Sequence, residues 1–177
     1  RLCEVVEGCV HQVWKQCLGY EIPLPIPRMD YQESMRRFGN DKPDLRFGLE
    51  HTDLTDLVRE HKGGGVPLFE SAVDNKTHIV KALVVPANAN LSRTETDKLE
   101  EFVKGMGAKG LGRAKVDETG GWTQSPFAKT ITPALRDAIT AACGAKPGDL
   151  MLFQFGKESV VQTVMANLRL HLGKKLN

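Results

Sequence analysis

Three prolines stand at alternate positions in residues 22–27, Ile-Pro-Leu-Pro-Ile-Pro. Each ring fixes its own φ, removes a backbone donor and pushes the residue before it towards extended backbone, so a helix cannot run through this stretch. Before it, Leu2, Val6, Cys9, Val10, Val13, Trp14 and Cys17 recur at three- and four-residue steps, which predicts one helix over 2–18 that ends at Gly19. After it, Asp30 followed by Glu33 has the capping-box spacing and predicts a short helix to about Phe38, stopped by Gly39 and Asn40. Asp53 is expected to cap another, with Leu54, Leu57 and Val58 inward. The glycines 63–65 predict a flexible joint or a tight turn, and no Gly-Lys-Ser/Thr follows that would make a phosphate loop.

From Val66 the pattern changes. Strands are predicted over 66–71 and 77–85 around the polar turn at Asp74, Asn75 and Lys76. Ser92 and Glu95 form a capping box for a helix that turns Leu99, Phe102, Val103 and Met106 inward. A strand over 111–116, a helix opened by Thr132-Pro133, a strand over 150–155 and a helix from 157 to about 172 complete the order. The last helix has the apolar stripe Val161, Val164, Met165, Leu168 and Leu172. The expected fold is α/β (α+β): a mixed β-sheet with helices packed on it, preceded by a short helical, Pro-broken segment. The division expected is residues 1–60 as a flanking segment and 61–177 as the α/β domain, with the boundary between roughly 45 and 65 and the glycines as hinge.

Lys plus Arg number 24 and Asp plus Glu 22, a net charge of +2 that is too weak to argue for strong nucleic-acid binding by itself. The one local basic surplus is Arg169, Lys174 and Lys175, which reads either as cations at a helix C-terminus or as a phosphate-contacting tail. No signal peptide and no apolar run of membrane-spanning length is visible. Cys3, Cys9, Cys17 and Cys143 make no Cys-x-x-Cys pair, and the first three share one predicted helix, so reduced thiols and a cytosol-like compartment are expected. His11 near Cys9 is the sole hint of a metal site, and no metal is expected. The chain opens at Arg1 within a predicted helix, which suggests a piece of a longer protein.

His11, His51, His61, His78 and His171 have no evident nucleophile or carboxylate partner, and Ser125 lies in a turn-like Ser-Pro rather than a Gly-x-Ser-x-Gly elbow. No catalytic, cofactor-binding or metal-binding residue is therefore expected. The best functional candidate is Asp41-Lys42-Pro43-Asp44. Pro43 restricts the backbone of the cluster, and two carboxylates beside a lysine can bind a zwitterionic or phosphate-bearing ligand, or cap backbone N–H groups in a turn.

Three phrases, in this order, resemble bacterial-type aspartyl-tRNA synthetases, which are class II enzymes. Arg37-Phe-Gly-Asn-Asp-Lys-Pro-Asp-Leu-Arg46 is similar to the family's Arg-Tyr-Gly-Ser-Asp-Lys-Pro-Asp-Leu-Arg, departing at Phe38 and Asn40. Gly107-Ala-Lys-Gly-Leu111 resembles a second phrase, and Ala166-Asn-Leu-Arg-Leu-His-Leu-Gly173 a third. Ser125-Pro-Phe-Ala-Lys129 also fits. The resemblance implies that residues 1–60 flank a catalytic domain and 61–177 are its inserted GAD domain. It implies a cytoplasmic, homodimeric parent enzyme that uses ATP and Mg to attach aspartate to tRNA. The class II catalytic motifs and the anticodon-binding barrel are absent here, so the resemblance implies a catalytically silent accessory module, in contact with the tRNA acceptor arm or a neighbouring domain. The same module occurs in a tRNA-dependent amidotransferase subunit, which is one alternative; a free-standing interaction domain is another.

Overall fold

The computed structural model describes residues 1–176. Residues 1–30 form one compact unit, and the chain from Tyr31 onward forms a second.

In the first unit, α1 (Leu2–Leu18) ends at Gly19, whose φ of 67° lets its N–H bond Lys15 O at 3.1 Å. The proline run then doubles back along the helix. His11 Nδ1–H donates to Ile22 O at 2.7 Å, Lys15 pairs with Glu21 at 2.6 Å, and Arg28 donates to Glu7. The Leu24–Pro25 bond is cis. The expected stripe on α1 is present but not buried: Leu2, Val6, Val13 and Trp14 are all exposed.

The second unit is built on one five-stranded sheet of order β1-β2-β5-β3-β4, antiparallel throughout. Its strands are β1 (His51–Asp53), β2 (His78–Val85), β3 (Gly112–Val116), β4 (Trp122–Thr123) and β5 (Leu150–Lys157). Helices are α2 (Tyr31–Phe38), α3 (Thr55–Glu60), α4 (Pro67–Asp74), α5 (Arg93–Lys104), α6 (Pro133–Cys143) and α7 (Glu158–Leu176). The mixed α/β arrangement expected from the sequence is thus what the chain adopts.

The central strands β2 and β5 are apolar almost without alternation because both faces are covered. On one face Val80, Ala82, Met151 and Phe153 pack under α3, α4 and α6, through Leu54, Val58, Phe69, Leu135 and Ile139. On the other, Ile79, Leu83, Leu150 and Leu152 pack under α5 and α7, through Leu99, Val103, Val161, Met165 and Leu168. The capping box forms as expected: Glu95 N–H donates to Ser92 Oγ at 3.2 Å, and Ser92 N–H donates to Glu95 Oε2 at 2.8 Å. Asp53 Oδ1 accepts from Thr55 N–H at 3.0 Å and so opens α3.

Two expectations of the sequence reading are overturned. Residues 66–71, expected as strand, belong mostly to helix α4, with Pro67 in its first turn and Phe69 and Ala72 buried. A short apolar run fits either element by pattern, and here Pro at the helix start decides. The glycines 63–65 make a tight turn packed into the core rather than a hinge. All three have positive φ, and a Cβ at Gly64 would meet Leu135 Cβ at 2.9 Å.

Candidate functional site

The segment that joins α2 to β1 contains the Asp41–Asp44 cluster; one buried cation holds the end of α2 just before it, and a second holds the backbone of Asp44 and of residues 47–49. The first is Lys81, in the middle of β2 and fully buried. Its Nζ donates to Met35 O at 2.8 Å, Arg36 O at 2.9 Å and Gln162 Oε1 at 2.8 Å. A cation there meets the negative end of α2 and supplies donors for carbonyls that a helix C-terminus leaves unpaired. Burial pulls its ammonium down to about 8. Gly39, at φ 73°, lets the chain leave α2 against α7: a Cβ there would lie 2.7 Å from Gln162 O.

The second cation is Arg169 of α7, also fully buried. Its Nε donates to Leu49 O at 3.1 Å, and its Nη2 donates to Asp44 O, Phe47 O and Gly48 O at 2.8, 3.0 and 2.9 Å. The guanidinium lies between two aromatic rings, 4.6 Å from the centroid of Phe38 and 4.5 Å from that of Phe47. Its Nη1 is buried without an acceptor. The negative ring faces compensate part of that cost. Gly173, one turn further along α7, leaves room for Phe47, whose ring carbons a Cβ there would strike.

The cluster itself divides. Asp44 is held by Arg46, whose Nη2 donates to Asp44 Oδ2 at 2.6 Å and whose backbone N–H donates to Asp44 Oδ1 at 3.0 Å. Those bonds keep the Asp44 carboxyl low, at about 2. The turn-capping role therefore falls to Asp44 and to Asn40, whose Oδ1 accepts from Lys42 N–H at 3.0 Å. Asp41 and Lys42 are exposed, and their side chains have no partner among the described residues. Arg37 is paired with Glu33 at 2.7 Å and with Glu50 at 2.8 Å.

Of the two readings of the basic tail, that of cations at a helix C-terminus holds for Lys174 and Lys175, which stand in the last turn of α7. Arg169 is inside the protein, bonded to the backbone of residues 44–49, and Lys175 is paired with Glu95. Lys174 alone stays exposed without a partner among the described residues. Ser125 acts in a turn, its Oγ accepting from Phe127 N–H at 3.1 Å. Among the described residues no three His, Cys, Asp or Glu side chains converge as a metal site, and with Asp44 committed to Arg46 the 41–44 carboxylates do not fit one. Among the described residues no helix is long and apolar enough to cross a membrane. Cys3, Cys9, Cys17 and Cys143 are free thiols, and burial pushes Cys143 up to about 11.

Sequence reasoning missed His51 as well. It sits on β1 at 4% exposure, and since Met165 O can only accept, Nε2 carries the proton and donates to it at 3.1 Å. Burial, then the nearby Lys81 charge, lower its pKa from 6.5 to about 3. The unfolded chain takes up this proton before the folded one. Stability is expected to fall as pH drops from about 6.5 towards 3, by at most about 1.4 kcal/mol per pH unit. Urea unfolding at pH 7 and pH 5 checks this, and His51→Gln should flatten the difference; an unchanged difference would remove His51 as its source.

Comparison with known proteins agrees with the three sequence phrases. An aspartate–tRNA(Asp/Asn) ligase of Anaeromyxobacter dehalogenans is 69% identical over 173 residues, covering 98% of this chain and 28% of the relative. One from Syntrophotalea carbinolica is 42% identical over 175 residues, 99% of the chain and 28% of the relative. An aspartate–tRNA ligase of Agathobacter rectalis is 40% identical over 173 residues, 98% of the chain and 28% of the relative. The chain thus spans little more than a quarter of the length of the curated relatives it matches. Residues 69–165, more than half of the chain, match the family described as GAD domain, so this chain belongs to the GAD domain family.

Proposed function

We propose that this chain is part of an aspartate–tRNA ligase: residues 61–177 as its inserted GAD domain and 1–60 as a flanking segment of the catalytic domain. The observation that carries this reading is 69% identity to a protein of that name across nearly the whole chain. In the complete, cytoplasmic and homodimeric enzyme, ATP and Mg serve the activation of aspartate and its transfer to tRNA. Those groups are held by parts outside this chain, and no step of the chemistry falls to the residues described here. The chain's own contribution is positional. Lys81 bonds the end of α2, just before Asp41, to β2, and Arg169 bonds the backbone of Asp44 and of residues 47–49 to α7, so the exposed Asp41 and Lys42 are presented between two held ends to whatever adjoins them. The exposed stripe of α1 supports the same reading, because Leu2, Val6, Val13 and Trp14 form an apolar face that a larger catalytic domain would bury.

The test is aminoacylation by the full-length protein that carries this chain, with ATP, labelled aspartate and both aspartate and asparagine tRNAs. Aspartate attached to the aspartate tRNA is the expected product. Charging of the asparagine tRNA as well would extend the substrate range to both tRNAs. No attachment to either would reject the reading.

A further inference from the structure

A groove of about 910 Å³ opens between the start of α5, the loop before β3 and the turn after β4. It brings together two phrases far apart in the sequence, Lys109-Gly-Leu111 and Ser125-Pro-Phe127. Its walls are close-built: a Cβ at Gly112 would lie 2.9 Å from the Phe127 ring, and one at Gly148 would lie 2.9 Å from Ala87 Cβ. The charged side chains lining it are Arg93, Lys109, Arg113 and Lys115 against Glu100. Arg113 is paired with Asp97 at 2.8 Å, and Glu100 is neutralised by Lys104 at 2.7 Å. Arg93, Lys109 and Lys115 have no side-chain partner among the described residues. A chain whose net charge is only +2 therefore concentrates three uncommitted cations in one concavity.

We propose that this groove binds the phosphate backbone of tRNA through Arg93, Lys109 and Lys115. The proposal rests on the aspartate–tRNA ligase reading and assigns the contact to this groove rather than to the basic tail. Free lysines act as point charges for phosphate oxygens, and each neutralised phosphate releases condensed counterions. Of the two aromatic side chains in its lining, Phe127 is only 3% exposed and Phe155 is half-buried against the core, so the contacts rest on the cations. Contacts confined to the backbone carry no base information, so binding is salt-sensitive and indifferent to base identity at the contact.

The experiment has two arms. In the first, this 177-residue chain is titrated with aspartate tRNA across a salt series, as wild type, as the triple variant R93Q/K109Q/K115Q, as the charge-preserving R93K/K109R/K115R, and as the control K76Q/K157Q, which changes exposed lysines outside the groove. The triple Gln variant should bind at least about tenfold more weakly at low salt, with a salt slope shallower by about 3, while the charge-preserving and control variants stay near wild type. An unchanged slope in the Gln variant overturns the proposal, as does equal loss in the control, or tighter binding of a poly-glutamate peptide than of tRNA. In the second arm, the same Gln substitutions in the full-length ligase should raise KM for tRNA about tenfold with kcat little changed. An active ligase with unchanged KM sinks the groove and leaves the ligase reading standing. A wild-type protein that attaches no aspartate sinks the ligase reading, and the first arm then decides the groove on direct binding alone.

Discussion

Arg169→Ala is expected to destabilise the unit by about 3 kcal/mol, roughly 9 °C in Tm, the largest loss from any single polar side chain described here. Four carbonyls between Asp44 and Leu49 lose their donor together, and two aromatic rings lose the guanidinium between them. The loss is bounded because the freed loop can move out and hydrate its carbonyls. Urea unfolding of Arg169→Ala should therefore show the full change in midpoint, and amide exchange in residues 44–50 should accelerate roughly a hundredfold. Arg169→Lys separates charge from shape. An ammonium keeps the charge but lacks the fork that reaches several carbonyls and lies flat between rings, so it should recover less than half of the loss. Full recovery by lysine would mean that charge alone holds the segment and would remove the argument from geometry.

Gly64→Ala ranks beside it, at about 3 kcal/mol. The residue has φ 57°, which costs an L-residue about 1 kcal/mol, and the new methyl would press on Leu135 near its own backbone, where overpacking adds about 2 kcal/mol. Leu135 is fully buried on α6 and has nowhere to retreat. Gly107→Ala is the comparison: its φ of 90° is also positive, but nothing lies within 4 Å of the added Cβ, so only backbone strain is introduced. Thermal unfolding of the two variants should place Gly64→Ala clearly lower. Equal midpoints would show that strain dominates and that the clash with Leu135 relaxes freely.

Locally encoded features were legible in advance. The Ser92–Glu95 box and the Thr132-Pro133 helix start rest on contacts within a few residues, and the stripe Val161, Val164, Met165, Leu168 and Leu172 follows from helical periodicity, so each appears where the pattern placed it. Residues 66–71 were misread because six residues are too few to separate period 2 from period 3.6, and His51–Asp53 was missed because a three-residue strand has no period at all. The site was only half readable. Asp44 sits in a turn that its neighbours announce, but the burial of Arg169 and Lys81 depends on acceptors 45 to 125 residues distant, which neither composition nor spacing records. A lone lysine inside the otherwise apolar run 79–85 was the available clue, since such an interruption in a doubly covered strand demands a dedicated partner.

The clamp at Arg169 also bears on how such a module can sit inside a longer polypeptide. The stretch by which the chain enters the sheet, Asp44–Leu49, is bonded directly to the helix by which it leaves. To a host protein the whole sheet with its helices resembles a short bridge between two neighbouring points. Insertion of well over a hundred residues then adds little loop-closure entropy to the host, because the module closes its own loop. Grafting cuts placed outside residues 44 and 173 should carry the clamp with them and yield a transplantable unit, whereas a cut between Asp44 and Leu49 takes one or more acceptors from the buried Arg169.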